Sequence, residues 1–118
     1  MGISVDGKLG YGIVFGNDDL DALMTEEQRE EEENVICQNW DVIEKKGFEV
    51  FHCGNSYGDG GEYGIVIAKS YFRADMYEVK TITIPEINPK WDGLLKKICE
   101  ELKLPYKKPT WILGAHQG

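Results

Sequence analysis

The chain has 118 residues with 21 acidic and 13 basic side chains, which gives a formal net charge of −8. Its length fits one domain with a single core, since domains most often contain about 100–150 residues. The longest apolar runs fall far short of the ~20 residues that a membrane-spanning helix needs, and residues 1–6 lack the pattern of a secretory signal. We therefore expect no membrane span. An acidic chain is also repelled by phosphate backbones, so we expect no direct contact with nucleic acid.

The first predicted element is a strand over residues 9–15, an aromatic and β-branched run. Thr25 and Gln28 then have the spacing of a capping box. Residues 26–33 contain no apolar side chain, so this stretch is either a helix solvated on every face or a mobile loop. Helical periodicity begins at Val35 and stops at Gly47, which is typical of an amphipathic helix with a C-terminal glycine.

The second half of the chain contains four more strand patterns and a second helix. The predicted strands cover residues 48–53, 63–68, 79–84 and 110–113. Asn88 and Pro89 open the helix, whose apolar stripe consists of Trp91, Leu94, Leu95, Ile98 and Leu102. These elements predict an α+β fold: a two-layer sandwich in which two helices cover one face of a mostly antiparallel sheet of about five strands.

Two of the predicted strands share a pentapeptide pattern. Residues 11–15 read YGIVF and residues 63–67 read YGIVI. A duplication would extend the similarity to both flanks, where none is found. We therefore expect two core strands of like composition that lie side by side, with each glycine facing a bulky neighbour.

The residues that often carry chemistry do not form a recognisable catalytic or metal site. Cys37, Cys53 and Cys99 lack CxxC spacing and are predicted to be reduced thiols of a cytosolic protein. His52 and Cys53 are adjacent on a strand and point to opposite faces, which disfavours a shared metal and a thiol–imidazole pair. Residues 54–58 match the G-x-S-x-G pattern, but the glycines that follow cannot begin the required helix. The sequence thus predicts a non-enzymatic protein with no catalytic residue, metal or cofactor.

The charge is concentrated in residues 18–33, which we call the acidic arm. It holds nine acidic side chains and one basic one, so its net charge equals that of the whole chain. Such runs are usually a solvated face that keeps a protein soluble. They can also steer the chain toward a basic partner, so both interpretations stay open. The partner-binding residues predicted on the second interpretation are Asp18, Asp19, Asp21, Glu26, Glu27, Glu30, Glu31, Glu32 and Glu33.

Six lysines lie within residues 90–118. The acidic arm could fold back onto them or across onto a second copy in a homo-oligomer, and the sequence does not decide between the two.

The glycine-rich loop over residues 54–61 supports an alternative function. Backbone N–H groups of glycine-rich loops can bind phosphate, and tyrosines can stack on a base. A nucleotide-type signal bound here would contact Asn55, Ser56, Tyr57, Gly58, Gly60 and Tyr63. The loop carries no lysine, however, so a plain connection between strands is favoured.

The order of several short motifs resembles small bacteriophage proteins. These motifs are LGYGIVF at residues 9–15, the glycine-rich middle, LKLP at residues 102–105 and KPTWIL at residues 108–113. The resemblance covers most of the chain and implies no catalytic residues. It implies a phage accessory protein in the cytoplasm of a bacterial host. Such a protein would bind and block or modulate a host protein, as in anti-defence or host takeover. The acidic arm adds the expectation that this host protein presents a basic surface. A small virion or assembly component is the third interpretation.

Overall fold

The structure, a computed structural model of the chain, describes residues 5–31, 33–55 and 62–117. The strands are β1 (Val5–Gly16), β2 (Phe48–Asn55), β3 (Glu62–Ile67), β4 (Phe72–Ala74) and β5 (Thr110–Gln117). The helices are α1 (Asn17–Ala22), α2 (Glu26–Glu31), α3 (Val35–Gln38), α4 (Trp40–Lys45) and α5 (Lys90–Leu102). A short 3-10 helix, Ala68–Ser70, joins β3 to β4.

Strand β1 organises the sheet because it pairs with three other strands. Residues 5–12 pair antiparallel with β5 along one edge. Along the other edge, residues 7–9 pair with β4 and residues 12–16 with β3, again antiparallel. Strand β2 pairs antiparallel with β3 and, through Gly54 and Asn55, parallel with β5. The strands β1, β3, β2 and β5 each pair with the next, and β5 pairs with β1 again. The sheet therefore curls and closes on itself.

The main core lies between one face of this sheet and the helices. The buried residues that form it are Tyr11, Ile13, Phe15, Leu20, Ile36, Ile43, Phe48, Val50, Ile65, Ile67, Trp91, Leu95, Ile98, Cys99 and Leu104. They come from β1, β2, β3, α1, α3, α4 and α5, together with Leu104 just after α5, whereas α2 contributes none. The hydroxyl of Tyr11 donates to a carboxylate oxygen of Asp92 at 2.7 Å and so ties β1 to α5. The predicted α+β class and the mostly antiparallel sheet of five strands are confirmed.

A second, smaller apolar region lies on the inside of the curled sheet. Phe51 and Val66 are buried there, on the face opposite the main core, because neighbouring residues of a strand point to opposite sides. Glycines supply the space. A Cβ at Gly10 would lie 2.9 Å from Cγ2 of Val66, and a Cβ at Gly12 would overlap the carbonyl oxygen of Ile65. The curl is therefore tight enough to require residues without side chains.

The repeated pentapeptide is explained by the pairing of β1 with β3. Gly12 lies opposite Val66, and Val14 lies opposite Gly64. Each glycine thus faces a valine of the other strand, as predicted, and the similarity reflects packing at one antiparallel seam.

One predicted strand is wrong. Residues 79–84 form no strand, and the fourth strand is Phe72–Ala74, which no sequence pattern indicates. Alternating apolar and polar residues favour an extended chain, but a strand also needs a neighbour with free backbone groups. No described strand pairs with residues 79–84.

The helical part is more divided than predicted. The one helix predicted from Val35 onward is instead two short helices, α3 and α4, separated by Asn39, and the segment before them adds α1 and α2. In α5 the apolar stripe is shifted, because Leu94 is 49% exposed whereas Cys99 is buried. None of the helices in the described ranges combines the length and the apolar composition that spanning a bilayer requires.

Candidate functional site

The acidic arm begins in helix α1, which anchors it to the core. Leu20 is only 1% exposed and packs in the main core, while Asp18, Asp19 and Asp21 of the same helix face solvent. A single apolar residue thus fixes one end of a charged segment. Its burial contributes on the order of 1.5–3 kcal/mol, the usual range for a leucine.

Helix α2 follows and is the part of the arm with no buried residue. Its start is the predicted capping box: the Thr25 N–H donates to Oε1 of Gln28 at 3.0 Å, and the Gln28 N–H donates to Oγ1 of Thr25 at 3.2 Å. This reciprocal pair satisfies backbone donors that a helix start leaves free. The arm is therefore helical over Glu26–Glu31, and of the two predicted conformations the helix is confirmed.

Side-chain amides hold α2 beside α3. Nε2 of Gln28 donates to Oε1 of Gln38 at 2.8 Å, and Nε2 of Gln38 donates to Oε2 of Glu31 at 3.1 Å. On the other side, Arg29 donates to the carbonyl oxygen of Asp21 at 2.9 Å. These contacts are polar and exposed, so they orient the helix without burying its carboxylates.

The acidic side chains of the arm remain on the surface. All nine predicted residues except Glu32, which lies outside the described part of the chain, are exposed. Asp19 lies 3.5 Å from Nζ of Lys107, and Asp21 lies 3.9 Å from Arg29. In the described ranges, residues 5–31, 33–55 and 62–117, Glu26, Glu27, Glu30, Glu31 and Glu33 form no ion pair. The structure thus brings together an open row of carboxylates.

The C-terminal lysines do not cover this row. In the part of the chain that the structure describes, Lys107 is the one C-terminal lysine that forms an ion pair with the arm. Its Nζ also lies 3.4 Å from the carbonyl oxygen of Val14 and 5.8 Å from the ring centre of Phe15. An exposed ion pair of this kind contributes only about 0–1 kcal/mol. Within the described residues, Lys90, Lys96, Lys97, Lys103 and Lys108 make no ion pair with the arm. Contact with a second copy stays a prediction.

The alternative ligand site can be described only at its edges. Asn55 ends β2, whereas Ser56, Tyr57, Gly58 and Gly60 lie outside the described residues. The ring of Tyr63 stacks on the imidazole of His52, with ring centres 4.3 Å apart and planes 9° from parallel. Burial, followed by a hydrogen bond to Cys37, raises the pKa of Tyr63 to about 12. One face of this tyrosine is therefore occupied by His52.

A second imidazole completes a small aromatic cluster at this end of the sheet. The ring centres of His52 and His116 are 4.8 Å apart. Burial, the neighbouring His116 and the Lys8 ammonium, in that order, lower the pKa of His52. Nδ1 of His116 is buried and has no hydrogen-bond partner among the described residues. Sequence reasoning did not pair the two histidines, because only the short parallel contact of β2 with β5 brings them together.

Two of the thiols have raised pKa values, and no cluster of metal-ligating side chains is found in the part of the chain that the structure describes. Burial raises the pKa of Cys53, and it raises the pKa of Cys99 to about 11, which keeps both thiols protonated at neutral pH. No group of three or more His, Cys, Asp or Glu side chains that could hold a metal ion is found within the described ranges.

Comparison with families of known proteins, with curated proteins and with solved structures finds no match for this chain.

Proposed function

We propose that the chain is a binding protein that engages a basic surface of another protein through the acidic arm. The observation that carries the proposal is the row of exposed glutamates in and after α2 that form no ion pair among the described residues. On this proposal the chain is a phage accessory protein, and its target is a host protein in the bacterial cytoplasm that it blocks or modulates. This context follows from the resemblance to small bacteriophage proteins.

Charge placement supports this function over general solubility. Solubility needs net charge but does not require that charge to lie on one fixed segment. Here the charge lies on two short helices: Leu20 anchors α1 in the core, and Gln38 holds α2 beside α3. A preformed surface loses less conformational entropy on binding than a flexible tail does.

The chemistry of the arm also defines its partner. Carboxylates on consecutive turns of α2 attract lysine and arginine side chains, and the attraction extends over about a Debye length, ~8 Å at physiological ionic strength. Such contacts mainly raise the association rate and the specificity of binding. Binding through the arm should therefore weaken as salt is added.

The test compares two charge-neutralised variants of the tagged chain. The first carries Glu26→Gln, Glu27→Gln, Glu30→Gln and Glu31→Gln, which keep the length and the helix propensity of the side chains. The control removes the same number of exposed carboxylates elsewhere, through Asp41→Asn, Glu62→Gln, Glu86→Gln and Glu100→Gln.

Proteins retained from a bacterial lysate by wild type and control, but lost by the arm variant, identify the target. The dissociation constant for that purified target is then measured against sodium chloride concentration. We expect the arm variant to bind at least about tenfold more weakly, equal to about 1.4 kcal/mol, and to show a flatter salt dependence. Equal retention by wild type and both variants would remove the arm from the mechanism.

A further inference from the structure

The segment between β4 and α5 forms no helix or strand and carries apolar side chains on its surface. It begins with a turn in which the Glu78 N–H donates to the carbonyl oxygen of Asp75 at 2.9 Å. Beyond the turn, Val79 is 93% exposed, and Ile82 and Ile84 are exposed as well. A large apolar side chain that is almost fully in water, beside others of its kind, is typical of an interaction surface.

This segment lies next to a sheet face that the helices leave open. Leu9 of β1, Phe72 of β4 and Leu113 of β5 line a groove of about 230 Å³, and Lys80 and Ile82 form part of its wall. Leu113 is 79% exposed. The apolar character thus continues from the segment onto the sheet.

The backbone of the segment has no partner within the described part of the chain. Hydrogen bonds between backbone groups occur at Glu78 and again at Trp91, where the N–H donates to the carbonyl oxygen of Asn88, and none joins residues 79–87 to another element. The adjacent β4 pairs only with β1 and stands at the end of the strand order. A β-favouring segment with free N–H and C=O groups is suited to pairing with a strand of another chain.

The local charges do not select a charged partner. Nζ of Lys80 lies 3.5 Å from Glu78, and Arg73 lies 2.6 Å from Asp6 and 3.2 Å from Asp75. Each of these two cations already has an acid neighbour in its own chain. Lys8, which also lines the groove, donates from Nζ to the carbonyl oxygen of His52 at 2.8 Å. Since these three cations have partners in their own chain, the surface left for another molecule is mainly threonine and aliphatic, and interfaces between identical subunits are richer in apolar surface than most others.

The segment is complementary to itself. A twofold axis between antiparallel strands keeps each residue on the same face in both copies, so a residue can lie opposite its own symmetry mate. When Thr81 is that residue, Lys80 lies opposite Ile82, and Glu78 lies opposite Ile84. No like charges meet in this register, whereas centring on Ile82 would place Glu78 opposite Glu86 and cost stability. Centring on Thr83 would bring Pro85, which has no backbone N–H, into the ribbon. Centring on Val79 would require a strand through Tyr77, whose φ of 68° lies in the left-handed region.

We propose that residues 78–84 pair antiparallel with the same residues of a second copy of this chain, with Thr81 at the twofold axis. The two segments then form a ribbon that rests on the apolar grooves of both copies. A two-stranded ribbon alone is marginal in water, and packing on Leu9, Phe72 and Leu113 supplies the additional burial. The proposal does not depend on the acidic arm.

The first test is the mass of the full chain in solution, measured by light scattering after size-exclusion chromatography across a range of concentrations. We expect a dimer that strengthens with salt, because each copy carries a charge of −8 and salt screens their repulsion. Thr81→Pro removes a backbone donor at the centre of the ribbon and should return the protein to a monomer. Thermal unfolding of the dilute variant checks that its fold is kept. A wild-type monomer at every concentration would overturn the proposal.

The second test fixes the register with a matched pair of variants. Thr81→Cys places its sulfur beside that of its symmetry mate, since Cβ atoms of opposed residues lie about 4.5–5.5 Å apart. Thr83→Cys introduces the same thiol at an equally exposed site that faces Val79 instead. Under an added thiol oxidant, we expect a covalent dimer in the first variant at several times the yield of the second. Equal yields, or the higher yield with Thr83→Cys, would overturn the assigned pairing.

Discussion

Residues 63–68 and 79–84 are both rich in β-branched residues, and the sequence predicts a strand for each, but only the first forms one. In β3, Ile65 pairs with Ile13 of β1 on one side and with Val50 of β2 on the other. The second segment has no strand beside it in the described structure. The difference shows that apolar and β-branched composition favours extended chain, whereas the number of available partner edges decides whether a strand forms.

The largest effect is expected at the seam that β3 forms with β1. Gly12→Ala places a Cβ onto the Ile65 carbonyl oxygen, which is backbone and cannot move away without opening the curled sheet. We expect a loss of more than about 4 kcal/mol in the free energy of unfolding, at the extreme of single substitutions. Urea denaturation followed by circular dichroism measures it.

Gly93→Ala is the matched control for that substitution. Gly93 lies in α5 with nothing within 4 Å of an added Cβ. We expect it to stabilise the chain by about 0.5–1 kcal/mol, because alanine favours a helix interior. If Gly12→Ala lowers the free energy of unfolding no more than an ordinary core substitution does, then β1 and β3 can move apart to accommodate the added methyl group.

Removing one aliphatic side chain from residues 63–68 and one from residues 79–84 tests whether only the first segment is packed in the core. Ile65 is fully buried, so Ile65→Ala should cost about 2–5 kcal/mol. Val79 is 93% exposed, and Val79→Ala should change stability by less than about 0.5 kcal/mol. Both are measured by denaturation at a concentration where the chain is monomeric. A large cost at Val79 under those conditions would show that the segment is packed within the monomer.

The smallest expected effect concerns the histidines where β2 meets β5. The pKa of His52 is lowered in the folded state by burial, His116 and Lys8. The unfolded chain therefore takes up a proton first as pH falls, and stability that is present above pH ~6.5 is lost as pH drops through the folded pKa.

Unfolding between pH 8 and pH 5 measures this loss. His52→Gln should reduce the decline by a fraction of the total, because the carboxylates that titrate at lower pH remain in both proteins. An unchanged decline in the variant would show that His52 titrates alike in the folded and unfolded chain.

Much of the fold follows from local patterns in the sequence. The apolar runs at residues 9–15 and 48–53, the stripe of Trp91, Leu95 and Ile98, and the paired glycines of β1 and β3 all indicate elements that the structure contains. Strand β4 was missed because its three residues are too few to show a period. Helix α1 was missed because its one core residue, Leu20, stands among aspartates.

The candidate site, like the fold, was only partly predictable from the sequence. Exposure of the arm's glutamates and the capping box at Thr25 follow from composition and spacing alone. The hydrogen bonds that join Gln38 to α2 and the approach of His116 to His52 could not be predicted, because each depends on how separate elements are placed. Periodicity describes one element at a time, while contacts such as these depend on the packing of the whole chain.

The pairing of β1 with β5 also has a consequence for how the protein is made. Leu9 pairs with Leu113, so two segments separated by nearly the whole chain must meet before the sheet can close. During synthesis β1 leaves the ribosome long before β5, and its apolar residues have no native partner on that side until then. A chain dominated by such distant pairings folds slowly and is exposed to aggregation meanwhile. The sheet can thus close only after β5 has left the ribosome, and deletion of β5 would leave β1 without that partner.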